Sequence, residues 1–249
     1  MAKYIFYLDG QYLSADQKLL YAFTPGRGKW HGVFETMRAA RGQAEYLDEH
    51  LSRLRQGLKV LKIRHDYTMD GLKRIVRQVI KQNPSIKLGR LRVMVFTEGK
   101  TVHCAVMILK YDPPSSQQYR EGLRISVVKT NRPATARWAD VKSLDYELFA
   151  DAYERAKTAG YDDALLVNSK GHVFETTRAN IFIRWGGKLL TPPLTSGCLN
   201  GIVRRRVIAA ARRLNIPMLE KNLSVAMVKN AQEVYATNSM MGVIKIRPG

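Results

Sequence analysis

Apolar positions in the first part of the chain come in short alternating runs before they settle into helical spacing. Residues 3–9 (KYIFYLD) and 11–13 flank Asp9-Gly10, and residues 32–40 and 43–47 flank Arg41-Gly42. Two β-type runs around a glycine-containing dipeptide predict a tight hairpin, so two hairpins are expected to open the chain. Leu51, Leu54, Leu58 and Leu61 then recur every three or four positions, predicting an amphipathic helix with Asp48 as its N-cap. A second helix is expected over 68–82, ended by Asn83-Pro84, followed by strands at 89–97 and 102–110 around Glu98-Gly99-Lys100. The paired prolines and serines of YDPPSSQQY (111–119) read as a linker between two lobes.

The second half mixes both periods. Ser143 is expected to cap a helix whose stripe is Leu144, Leu148, Ala152 and Ala156, ending at Ala159-Gly160. DALLVN and HVFE straddle Ser169-Lys170-Gly171 as a hairpin, ANIFIRW and KLLT form another, and NGIVRRRVIAAARRL is an amphipathic helix behind a glycine. Strands near 215–219, 233–237 and 242–246 finish the chain. With no regular βαβ alternation and no GxGxxG loop, the pattern predicts an α+β protein on mixed sheets. Its expected organisation is a small N-terminal domain at 1–110, a linker at 111–121 and a larger C-terminal domain at 122–249.

Composition narrows the class. The chain has 249 residues, 45% hydrophobic and 25% charged, enough for two domains with real cores and little disorder. No apolar stretch approaches the ~20 residues of a membrane helix, and MAKYIFYLDG lacks the apolar core of a signal peptide. A cytoplasmic location is therefore expected. Cys104 and Cys198 are far apart, without a CxxC pair or a histidine cluster, so neither a disulfide framework nor a metal site is suggested. The net charge of +20 raises a nucleic-acid partner as a question. Its densest basic runs, RGK (27–29), RRR (204–206) and Arg212-Arg213, are dispersed and lack interleaved aromatic residues. They read as a solvated basic surface that steers small anions, and no nucleic-acid partner is expected.

Three places carry candidate chemistry. Lys142 stands at the entrance to the expected helix, where helix-end amides and burial favour a nucleophilic amine. Glu175 ends a strand in VFETTRANIF, and Leu199-Asn200-Gly201-Ile202-Val203 makes a glycine-marked helix start suited to phosphate. Taken singly, a solvated lysine, a strand-end charge and an unoccupied helix start account for them as well.

Their order and surroundings, however, resemble one family. GVFETMR (32–38), LDEHLSRL (47–54), VKSLDY (141–146), FETTRANIF (174–182), LLTPPLTSGCLNGIVR (189–204) and EVYATNSMMGV (233–243) look like the blocks of class IV pyridoxal-phosphate (PLP) aminotransferases of fold type IV. That group holds branched-chain aminotransferases, D-amino-acid aminotransferases and 4-amino-4-deoxychorismate lyases, and the resemblance spans nearly the whole chain. It implies a two-lobed fold with PLP as cofactor, carried by Lys142 as an internal aldimine. It further implies that Glu175 faces the pyridine nitrogen and that Arg53 binds the phosphate with the amides of Ile202 and Val203 and the hydroxyl of Ser239. Tyr146 matches a tyrosine that reaches the cofactor's phenolic oxygen. The implied activity is transamination between an amino acid and a 2-keto acid, with small amino and keto acids as partners and a homodimer as the expected assembly. Two alternatives stay open: a lyase releasing pyruvate and 4-aminobenzoate, and a cofactor-free basic nucleic-acid-binding or scaffold protein on the same fold.

The substrate side departs from the family pattern. A tyrosine-glycine pair usually precedes VFE, whereas GRGKWHGVFE has Lys29 and Trp30 there. Lys29 is therefore expected to supply a cation for the substrate carboxylate, with Arg38 and Arg92 as further candidates; Arg92 aligns with an arginine of branched-chain enzymes. A solvated loop lysine and alternating strand charges are the alternative. RLRVMVFTEGKTVHCAVMI lacks the arginine-glycine and arginine-x-histidine pattern of D-amino-acid enzymes, and His31, His103 and His172 read as structural.

Overall fold

Asp9 and Gly10 both take positive φ (46° and 94°) and turn β1 (Tyr4–Leu8) into β2 (Gln11–Ala15) as an antiparallel hairpin. The structure, a computed structural model, describes residues 3–26, 28, 30–132 and 141–249. Contacts divide the chain into two units, Met1–Asp112 with Val141–Glu147, and Pro113–Asp140 with Leu148–Gly249. None of the described helices is long and apolar enough to cross a membrane.

In the first unit, the Asp16 carboxylate accepts from the Leu19 N–H and caps α1 (Gln17–Ala22). Then come β3 (His31–Ala40), β4 (Gln43–Ala44), α2 (Leu47–Val60), α3 (Met69–Lys81), β5 (Leu88–Glu98) and β6 (Thr101–Lys110). The strands form one sheet in the order β2-β1-β6-β5-β3-β4, antiparallel at every pair. Strand alternation sends Val33 and Met37 to one face, where they meet Leu51, Leu54 and Leu58 of α2 and Val76 and Val79 of α3. Phe34, Met94, Phe96, Ala105 and Met107 build a second core on the opposite face. Thr68 caps α3, which lies within the helix expected over 68–82. Asp48 does not cap α2: the helix starts at Leu47 behind Tyr46, whose left-handed backbone (φ 55°) sets the turn. Asp48 lies in the first helical turn, favoured by the helix dipole, and pairs with Lys73 at 2.6 Å.

The second unit opens with α4 (Ser116–Glu121), where Ser115 and Gln118 form a reciprocal capping box. It continues with β7 (Leu123–Lys129), α5 (Glu147–Thr158), β8 (Asp163–Val167), β9 (Val173–Thr176), β10 (Asn180–Trp185) and β11 (Lys188–Thr191). A short 3-10 turn at Leu194–Ser196 leads to α6 (Ile202–Arg213), β12 (Met218–Glu220), α7 (Val225–Lys229), β13 (Glu233–Asn238) and β14 (Gly242–Pro248). These strands form a mixed sheet in the order β12-β11-β10-β13-β14-β7-β8-β9, parallel at β11·β12, β14·β7 and β7·β8. Ile125, Leu165, Val173, Ile181, Ala236 and Ile244 fill its core. The fold is α+β, built of helices and mixed sheets.

Two segments differ from the sequence reading. The stretch expected as a linker (111–121) contains α4, and the division between units falls within it, at Asp112 and Pro113. The helix expected from Ser143 starts at Glu147 instead. Residues 141–146 are held extended against β3: Ser143 bridges to Val33, the Phe34 N–H donates to the Lys142 carbonyl and the Leu144 N–H donates to the Gly32 carbonyl, both at 2.9 Å. Those bonds tie Val141–Glu147 to the first unit, although the sequence reading assigns it to the C-terminal domain. Leu144 consequently belongs to the sheet core beside Phe34, while α5 buries Phe149, Ala152 and Ala156.

Candidate active site

Lys142 owes its position to backbone bonds. Gly32, whose carbonyl accepts from Leu144, also packs tightly on β5: a Cβ there would lie 2.4 Å from the Val95 carbonyl oxygen. With its backbone fixed, Lys142 places Nζ 4.5 Å from the centre of the Phe34 ring and 5.8 Å from that of Tyr146. The two rings meet edge to face at 5.5 Å. An amine over aromatic faces is electrostatically favoured and held away from random rotamers.

On the other face of β3, Glu35 is fully buried. Arg53 grips it with two parallel bonds, Nε to Oε1 and Nη2 to Oε2, each 2.7 Å, and His50 Nδ1 lies 2.6 Å from Oε2. His50 and Arg53 reach the same carboxylate because three positions along a helix share a face. Burial pushes the Glu35 carboxyl up, but the Arg53 charge and the bonds from Arg53 and His50 outweigh it and bring its pKa to about 2. Burial pushes His50 below its ordinary value, the charges of Arg53 and Lys142 add to this, and Glu35 opposes it. A carboxylate only accepts, so Nδ1 carries the proton and Nε2 is a bare acceptor. That atom is buried and has no hydrogen-bond partner among the described residues. Glu35 and His50 lie in the blocks that single out Arg53, yet their pairing is tertiary and no spacing announces it.

Arg92 Nη1 donates to the Phe23 carbonyl at 3.1 Å. Arg38 is engaged elsewhere, with Nε 2.8 Å from Glu45. Lys29 lies outside the described residues.

In the second unit, Glu175 is buried on β9 and accepts from the Leu199 N–H at 3.2 Å and from Asn180 Nδ2 at 3.4 Å. Asn180 Nδ2 also donates to the Leu199 carbonyl at 2.8 Å, joining the carboxylate to the loop that feeds α6. The fit is close: a Cβ on Gly201 would sit 2.0 Å from Asn180 Oδ1. Gly201 is the N-cap of α6 and offers no side chain, so the helix start at Ile202 and Val203 has no side-chain cap. The turn after Glu175 is fixed from behind by buried Asp163, which accepts from Thr176, Thr177 and the Ala164 N–H. Ser239 lies in the turn after β13, where Asn238 Oδ1 accepts from Met240 and Met241. The buried Thr237 Oγ1 has no hydrogen-bond partner among the described residues. Asn180 escaped the sequence reading, although it stands five positions after Glu175 in the same block.

Neither thiol suits nucleophilic chemistry. Burial pushes both Cys104 and Cys198 up to about 12, with the charges of Asp9 and Glu175 adding respectively.

The family model described as amino-transferase class IV matches residues 32–248. A putative branched-chain-amino-acid aminotransferase of Methanocaldococcus jannaschii is 30% identical over 96% of this chain and 86% of its own length. An aminodeoxychorismate lyase of Bacillus subtilis is 28% identical over 96% of this chain and 84% of its own. Among solved structures, a branched-chain aminotransferase of Thermoproteus uzoniensis with norvaline superposes with a TM-score of 0.86 at 25% identity, covering 99% of this chain and 88% of that one.

Proposed function

The chain belongs to the class IV aminotransferase family, and from that premise we propose that it is a PLP-dependent transaminase moving an amino group between an amino acid and a 2-keto acid. The observation that carries this reading is the Lys142 amine, fixed by backbone bonds and set over Phe34 beside Tyr146. The residues present fit the cofactor by donor type. Lys142 offers an amine for its aldehyde and Arg53 a guanidinium for its phosphate. The bare helix start at Ile202 and Val203 suits the same phosphate, with Ser239 as a hydroxyl donor, and the orphaned Thr237 hydroxyl marks buried polar capacity nearby in sequence. When bound, PLP supplies an aldehyde that joins amines and a protonated ring that draws electrons from the substrate α-carbon.

Glu175, held by Leu199 and Asn180, would keep a ring nitrogen of the cofactor protonated. The Lys142 amine would serve as the group that holds and moves the proton of the substrate α-carbon. Glu35 and His50 orient Arg53, whose guanidinium charge suits an anion. Tyr146 would offer its hydroxyl to the cofactor's phenolic oxygen. Lys29, Arg38 and Arg92 remain the proposed cations for substrate carboxylates. A homodimer acting in the cytoplasm belongs to the same reading.

The likeness to the Bacillus subtilis lyase supports a second reading, release of pyruvate and 4-aminobenzoate from aminodeoxychorismate. Purified protein is expected to be yellow, to lose its near-visible absorbance on borohydride treatment, and to exchange amino groups between amino and keto acids. Colourless protein after saturation with PLP contradicts the proposal; turnover of aminodeoxychorismate without exchange selects the lyase.

A further inference from the structure

β10 and β11 are joined by Gly186-Gly187, whose positive φ values of 55° and 74° make a tight hairpin turn. A Cβ on either glycine would meet nothing within 4 Å, so the turn projects into solvent. Trp185 and Lys188 pair across its base. β12 lies alongside β11, and the Leu189 N–H donates to the Pro217 carbonyl at 2.8 Å, which brings residues 214–217 to the same end of the sheet. α6 finishes there: Leu214 is its C-cap, Asn215 turns with φ 54°, and the Ile216 N–H closes on the Ala211 carbonyl at 2.9 Å. Three large apolar side chains are left exposed at this end, Leu214 at 64%, Ile216 at 45% and Trp185 at 38%. Cations accompany them. Lys188, Arg212 and Arg213 are exposed, the two arginines where a helix C-terminus favours positive charge. The Glu233 carboxylate at this end is taken up by Arg184 and Lys245, each at 3.3 Å. β10 runs from Asn180 to Trp185, so the tip lies at the other end of that strand from the contact between Asn180 and Glu175, about 17 Å away by strand rise.

We propose that this tip docks on the surface of an anionic lipid bilayer, with Trp185, Leu214 and Ile216 entering the headgroup layer and Lys188, Arg212 and Arg213 meeting the lipid phosphates. The partner follows from shape and charge. A projecting turn offers no groove for a peptide or a small molecule, whereas a bilayer accepts a convex apolar tip. Tryptophan suits that depth, with an apolar body for acyl carbon and an N–H for headgroup oxygen. Leucine and isoleucine held in water regain on entering lipid what their exposure costs. Lysine and arginine reach back to the phosphates along apolar stems, and the charge of +20 adds attraction at longer range. Such docking needs no membrane-spanning helix, and the tip stands clear of Glu175.

The test sediments the full chain with vesicles of phosphatidylcholine alone, or with about one third phosphatidylserine. The protein is expected to bind the anionic vesicles about ten-fold tighter than the neutral ones, and to leave them at high salt. Trp185→Ser, and separately Leu214→Ser at the most exposed position, should each weaken that binding about ten-fold, and Trp185→Phe should keep most of it. Arg212→Gln combined with Arg213→Gln should cost roughly twenty-fold. The control pair, Lys129→Gln with Lys170→Gln, removes the same charge from β7 and the turn between β8 and β9, far from β12 in the sheet order, and should cost less than about three-fold. Unchanged thermal unfolding midpoints show that the variants are folded. Wild type that ignores anionic vesicles, binding that survives both serine variants, or equal losses in the arginine and lysine pairs overturn the inference. Should the tip instead bind RNA and leave vesicles untouched, the surface is a nucleic-acid site and the inference fails.

Discussion

Glu35 is a carboxylate with no water around it, and it stays charged only because Arg53 and His50 hold it. Lowering its pKa from 4.5 to about 2 corresponds to linked stability on the order of 3 kcal/mol. Because the folded carboxyl titrates below the unfolded one, that contribution is complete above pH about 4.5 and drains away as pH falls toward 2. Glu35→Gln should therefore cost about 3 kcal/mol in urea unfolding at pH 7, with the gap to wild type narrowing below pH about 4. A gap of constant size across that range would show that the charge contributes nothing. At this scale the family blocks single out Lys142, Glu175 and Arg53 by residue type and order. They are silent on Glu35, His50 and Asn180, whose contacts follow from what folding brings against them.

Among the elements, β3 carries the heaviest constraint, because it pairs with β5, faces α2 and clamps the Lys142 segment. A Cβ at Gly32 would meet backbone, the Val95 carbonyl at 2.4 Å and Phe96 Cα at 2.6 Å, which cannot step aside. A Cβ at Gly57 on α2 would meet only methyl groups of Val33 and Val141, at 3.0 and 3.3 Å. Gly32→Ala should lose about 4 kcal/mol or more, well beyond the loss in Gly57→Ala, as read by thermal unfolding. Equal losses would mean that β3 can shift. Long stripes made α2 and α3 legible, whereas α1 and α7 each bury a single residue and α4 buries none, too little to register as periodicity. Lys142 was set directly before a helix because Ser143 followed by Leu144 and Leu148 imitates a capped stripe, while the helix starts at Glu147 and the bonds that hold the segment extended come from Gly32 and Phe34, more than a hundred residues earlier.

Across the whole molecule, strand order was beyond sequence patterns. β14 pairs in parallel with β7, setting Ile246 against Leu123, and nothing local encodes a partner so distant. The charge of +20 was legible but overstated the free basic surface, since Arg204 is buried against Glu220 and Arg53 is spent on Glu35. If the proposed homodimer holds, sedimentation should give a mass of about twice 28.3 kDa, and a species of 28.3 kDa at micromolar concentration would refute it. The account as a whole turns on one nitrogen. The most direct measurement saturates the protein with PLP, reduces it with borohydride and maps the label by mass spectrometry. The account predicts a single modified residue, Lys142; a label on another lysine, or none, would contradict it.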